Sequence, residues 1–150
     1  MPLDLTVDLY EACQQISPRH SDYATLSIED GFDWASLSCC LFERLYLVAF
    51  RSVWQPEADL DLLREHDDRA YEEALKSGGL LRYFKGQANE WGECLSFCLW
   101  QTREQARQAA DAASHRSAAG VSAQMYLSYA LERFWIQKSG EELVFEPIQM

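Results

Sequence analysis

Three ionisable side chains sit among apolar neighbours, and they are where this chain could do acid–base or anchoring chemistry: Asp67, His115 and Arg51. Asp67 belongs to the stripe Leu60, Leu63, Asp67, Ala70 and Ala74, the inward side of a helix by its three-to-four spacing. A carboxylate on such a stripe is costly unless paired. Arg51 or Arg133 could supply the partner, which makes Asp67 half of a structural ion pair. The alternative is a catalytic base or substrate anchor. His66 is adjacent in sequence and points about 100° away around the helix, so the two need not cooperate. His115 lies near the end of a helix whose inward side is Ala106, Ala109, Ala110 and Ala113. Facing a cavity it could exchange protons near neutral pH; otherwise it meets the terminal carbonyls of its own helix. His20 lies in a polar loop and reads as solvated.

A second group is aromatic: Tyr46, Tyr83, Trp100, Tyr129 and Trp135, all on strand-like segments. One reading makes them core or subunit interface. The other starts from volume. A helix that offers only alanines leaves space above the sheet, and large rings then line a pocket, their hydroxyls and indole N–H groups free to hold a polar group on an apolar ligand. Gly78–Gly79 ends a helix instead of opening one, so no phosphate loop is present, and no serine sits in a nucleophile elbow. Of the five cysteines, Cys94 and Cys98 come nearest to a metal pair, but along a strand they lie about 13 Å apart. The five are read as free thiols. No cofactor and no metal are expected.

The elements that position these residues follow from the hydropathy pattern. Arg44–Trp54 reads as a strand with apolar side chains on both faces, hence covered on both. A helix follows from Asp59 to about Lys76. Leu80–Gly86 and Glu93–Gln101 form a hairpin, Thr102 and Gln105 a capping box for a second helix ending near Gly120, and Met125–Gln137 a last core strand with a short tail strand at Leu143–Phe145. This is strand–helix–strand–strand–helix–strand: an α+β class, ferredoxin-like four-stranded antiparallel sheet with its helices on one face. Residues 41–150 are read as that domain. Residues 1–40 are an N-terminal extension packing on the core, with one short helix through Leu5, Leu9, Cys13 and Ile16 and loop over 19–34. The sheet face away from the helices needs a cover, which is the extension or a second subunit; a homodimer sharing a barrel is the preferred reading.

The totals are those of one domain: 150 residues, 48% apolar and 13% aromatic. A net charge of −11 argues against nucleic acid and anionic membrane surfaces as partners. No apolar run of about 20 residues is present and the first ten residues lack a basic, apolar leader, so a cytoplasmic protein is expected.

The blocks LYLVAFRSVW, GGLLRYFKGQ, LSFCLWQTREQARQAA and YLSYALERFWIQK resemble a family of small fungal proteins across residues 45–138, from which no catalytic residue carries over. The strand–Trp–capped-helix stretch Phe97–Ala106 is similar to dimeric α+β-barrel proteins of the antibiotic-biosynthesis monooxygenase type. That resemblance implies a fold, a cavity between sheet and helices, and a range of chemistries from cofactor-free oxygenation to cyclisation. The leading expectation is a cofactor-independent cyclase or isomerase for a hydrophobic small molecule in fungal natural-product biosynthesis. Asp67, His115 and Arg51 would be catalytic, and Tyr46, Tyr83, Trp100 and Tyr129 substrate-binding. The alternatives are a cofactor-free or haem-dependent monooxygenase, and a non-catalytic binding or assembly module.

Overall fold

The structure is a computed structural model that describes residues 8–40, 42–56, 61, 65, 68, 71–72, 74–76, 78–116, 126–140 and 142–148; side chains are described for all of these except Cys39 and residues 110–116. Asp67 and His66 lie outside that set, and of His115 only the backbone is within it.

Five strands form one antiparallel sheet: β3 (Arg44–Trp54), β4 (Leu80–Phe84), β5 (Glu93–Trp100), β6 (Tyr126–Ser139) and β7 (Glu142–Pro147), in the order β4-β5-β3-β6-β7. The first four have the ferredoxin-like order, and β7 adds an edge through a hairpin turned at Gly140. Two short strands, β1 (Ser17–Pro18) and β2 (Phe32–Asp33), pair separately within the extension. β3 lies at the centre because it is the strand with apolar residues on both faces. Leu45, Leu47 and Ala49 point to one side, Tyr46 and Val48 to the other, and all five are buried.

The helical side is built as its sequence demands. Residues 71–72 and 74–76 are helical and lead to Gly78 and Gly79, both at positive φ, where the chain leaves the helix. After β5, helix α3 (Arg103–Arg116) starts with Thr102 as its cap: the Gln105 backbone amide donates to Thr102 Oγ1 at 3.2 Å, and that hydroxyl in turn donates to Gln105 Oε1 at 2.9 Å.

The opposite face is closed by the extension, not left for a second subunit. Helix α1 (Leu9–Gln14), helix α2 (Ile28–Gly31) and two 3₁₀ turns, Tyr23–Thr25 and Ala35–Cys39, lay Cys13, Ile16, Phe32, Trp34 and Leu37 against Leu45, Leu47, Leu95, Phe97 and Leu99. Phe97 is ringed by Phe32 at 5.1 Å, Trp34 at 5.4 Å and Phe84 at 5.4 Å. Each such side chain contributes about 1.5–3 kcal/mol when fully buried, so this is a main core and not a loose arm. The expected loop over 19–34 is in fact a series of short turns.

Three cations fasten this cover, each at the C-terminal end of one short helix. Arg82 donates to Cys13 O and Gln14 O at the end of α1 (3.1 and 2.6 Å). Arg51 donates to Ala24 O and Leu26 O (3.1 and 2.7 Å), and Lys138 to Ser38 O and Cys40 O (2.9 and 2.6 Å). Short helices leave their last carbonyls unpaired with negative partial charge, and a cation meets both needs.

Candidate functional site

On the helix-facing side, strand register sets a row of rings across the sheet. Tyr46 lies opposite Trp100 on β5 and Trp135 on β6, and the Tyr46 and Trp135 rings are 5.2 Å apart. Tyr83, opposite Cys98, packs on the same side. Three of the predicted binding residues, Tyr46, Tyr83 and Trp100, therefore share one cluster with Val48, Cys98, Trp135 and the alanines. Tyr129 belongs to the same face farther along β6, with its ring 6.4 Å from Phe50 and 5.3 Å from Tyr126.

Arg51 is not beside them. Odd-numbered β3 residues face the extension, and its guanidinium is taken up by Ala24 O, Leu26 O and a 3.0 Å ion pair with Glu132. Arg51 is thus seen fastening the extension on the face opposite the aromatic row, with Glu132 as its described carboxylate partner; Asp67 lies outside the described residues. The room expected beneath the alanine-faced helix is also closed at its first turns. Ala106 and Ala109 are buried directly over the cluster of Tyr46, Val48, Cys98 and Trp100.

That closure leaves one donor unmet. Trp100 is 2% exposed, and among the described residues its Nε1 has no hydrogen-bond acceptor. The nearby Cys98 thiol feels the indole N–H, which acts to lower its pKa. Burial outweighs this and pushes the thiol up to about 12, and the sulfur does not stand in acceptor geometry. Trp34, by contrast, gives its N–H to Ile28 O at 3.1 Å. A buried donor without a partner costs about 1–3 kcal/mol, and such atoms need an explanation. Ala106 and Ala109 meet the cluster here, each methyl worth about 0.8 kcal/mol of burial. A ligand carbonyl that entered beneath α3 would recover what the orphaned N–H loses.

Beyond Val48 the same face is open. Tyr129 is 50% exposed and Leu131 40%, with Phe50 and Tyr126 half-buried beside them. Trp135 forms the near wall. Two arginines missed by sequence reasoning flank the row: Arg44 stacks on Trp135 with its guanidinium carbon 3.8 Å from the ring centroid, and Arg103 lies over Tyr46 at 5.9 Å. Parity could have found Arg44, two residues before Tyr46. Helical spacing could have found Arg103, three before Ala106.

Cys13, Cys40, Cys94 and Cys98 are buried thiols. Among the described residues no helix is long and apolar enough to cross a membrane.

Known proteins agree with this architecture. A protein of Nitrosomonas europaea assigned as an antibiotic biosynthesis monooxygenase matches 65% of this chain and 93% of its own, with TM-score 0.51 and 11% identity, a likeness of fold. A dimeric ferredoxin-like protein from an uncultured marine organism matches 61% of this chain and 86% of its own, with TM-score 0.48 and 14% identity. At the level of sequence, the UPF0643 protein PB2B2.08 of Schizosaccharomyces pombe is 30% identical over 156 residues, 90% of this chain and 71% of the relative. The family model described as PB2B2.08-like matches residues 4–147, and the chain belongs to that family.

Proposed function

We propose that this protein binds an apolar, carbonyl-bearing small molecule on the helix-facing side of its sheet and promotes its cyclisation or isomerisation without a cofactor. The observation that carries the reading is the buried Trp100 N–H with no acceptor among the described residues, at the end of an aromatic row that leads to exposed Tyr129 and Leu131. The apolar body lies along Phe50, Leu131 and Tyr129, while its carbonyl takes the Trp100 donor beneath α3. Holding a flexible molecule in a reactive fold contributes up to about 7–11 kcal/mol to lowering a barrier, and a donor on the carbonyl draws electrons as the bond forms. Such a reaction needs shape and donors more than a nucleophile. Asp67 and His115 stay in the proposal as base and proton carrier.

Prodan, a fluorescent naphthalene ketone, tests the binding step. Saturable binding is expected, with Trp100→Phe weakening it about fivefold to tenfold, the value of one lost hydrogen bond. Loss of the bond also shifts the probe's emission to the blue. Absence of binding, or a Trp100→Phe variant that binds as wild type does, ends the reading. For the reaction, extracts of apolar metabolites incubated with the protein are followed by mass spectrometry. Cyclisation or isomerisation yields products of unchanged mass. Oxygen gain would instead favour the monooxygenase alternative, and no turnover a binding module. The homodimer is proposed too, through a surface other than the one the extension covers; light scattering reports it.

A further inference from the structure

We infer that the ligand of this face carries a carboxylate, held by Arg44 and Arg103; the inference rests on the binding site proposed above and names its substrate class. The sequence holds 24 acidic residues against 13 Lys and Arg, so carboxylates outnumber the cations that could pair with them. Arg51 is paired with Glu132, whereas among the described residues neither Arg44 nor Arg103 has a carboxylate or a hydrogen-bond acceptor. Both stand on aromatic rings instead, Arg44 on Trp135 at 3.8 Å and Arg103 over Tyr46 at 5.9 Å, and those rings are themselves 5.2 Å apart.

Stacking uses the flat face of a guanidinium and leaves its N–H edge free. That edge is the part that receives a carboxylate through two parallel hydrogen bonds. Both guanidinium groups lie at the Tyr46–Trp135 end of the row, over rings 5.2 Å apart. From Tyr46 to Phe50 the same face of β3 runs four residues, about 13 Å, to Leu131 opposite Phe50. The ligand class that fits is an elongated apolar carboxylic acid, its charged end at Arg44 and Arg103 and its body reaching Leu131 and Tyr129. In a protein of net charge −11 the long-range field disfavours anions, so selection for one has to come from contacts this close.

Two fluorescent probes that differ by one charge decide this on the full chain: anilinonaphthalenesulfonate and its uncharged parent, phenylnaphthylamine. Wild type is expected to bind the sulfonate about tenfold more tightly at low salt, a preference that shrinks as salt rises. The Arg44→Gln, Arg103→Gln double variant is expected to lose that preference while its affinity for the parent stays put. Arg107→Gln, an exposed arginine farther along α3, serves as control and should keep the preference. Equal binding of the two probes by wild type overturns the anion assignment and leaves the apolar site standing. So does a preference that survives the double variant or falls as much in the control. If neither probe binds, the apolar site itself is refuted and the carboxylate assignment goes with it.

Discussion

Replacing Arg51 by Met keeps the aliphatic stem and removes the guanidinium, which tests whether carbonyl capping holds the extension to the sheet. Three interactions go: hydrogen bonds to Ala24 O (3.1 Å) and Leu26 O (2.7 Å), and the ion pair with Glu132 (3.0 Å). With side-chain exposures of 25% and 38%, the pair sits at the surface, and such pairs contribute at most about 1 kcal/mol. Bonds from a cation to a carbonyl contribute about 1.5–3 kcal/mol each when dry; here water can replace part of the loss at a half-buried turn. A total of about 2–3 kcal/mol is expected, which lowers Tm by roughly 5–10 °C in a domain of this size. Glu132→Gln removes the ion pair alone and should cost less than about 1 kcal/mol. Urea denaturation of both variants gives the magnitudes. Hydrogen exchange locates them, because the Thr25 and Leu26 amides, bonded to Asp22 O and Tyr23 O, should lose protection first. If Glu132→Gln proves as damaging as Arg51→Met, the ion pair is the fastening and capping is not. Unchanged exchange at those two amides would refute the clamp altogether.

Two other outcomes follow from burial and backbone geometry. Burial is the largest cause lifting the Cys13 and Cys98 thiols to about 12, whereas an unfolded cysteine ionises near 8.5. Between these values the unfolded chain has released protons that the native state keeps, so stability is full below about pH 8.5 and falls as pH rises, by on the order of 1 kcal/mol per unit for each thiol. Urea titrations at pH 8 and pH 10 under reducing conditions should show a flatter decline in the Cys13→Ala, Cys98→Ala variant; an identical decline contradicts the assignment. Gly86→Ala drives a Cβ into the backbone oxygen of Leu95, a position that a side-chain rotation cannot clear. A loss of about 1–3 kcal/mol is expected from its melting curve. A wild-type Tm would mean that the two strands can separate there at little cost.

Much of the core fold is legible in the sequence because its strands are long and patterned. β3 occupies Arg44–Trp54 as its apolar run predicts, and Thr102 caps α3 through the Gln105 amide with the Gln105 side chain bonded back to its hydroxyl. Strand alternation also held information against Arg51, whose odd number puts it across the sheet from Tyr46 and Trp100. The extension was far less legible. Helices of four and six residues are too short to be stable alone and take their form from the sheet beneath them. Their carbonyl partners, Arg51, Arg82 and Lys138, are dozens of residues away in sequence, and no local pattern announces them. Asp67 and His115, the residues singled out for proton chemistry, have side chains outside the described set.

The placement of cations ties these observations together. On the extension side, Arg82, Arg51 and Lys138 stand on three different strands, and each ends a separate helical turn, so the cover is fixed at three points around a buried aromatic centre. Their donors are consumed by backbone carbonyls. On the helix side, Arg44 and Arg103 rest on rings and keep their donors unspent among the described residues. One face is thus satisfied internally and has the character of a core. The other combines an unmet indole N–H, two available guanidinium edges and exposed rings. Unsatisfied donors beside apolar surface are costly in the absence of a guest and favourable in its presence. That asymmetry is the physical reason to look for the ligand beneath α3 and along β6, and not on the side that the extension has closed.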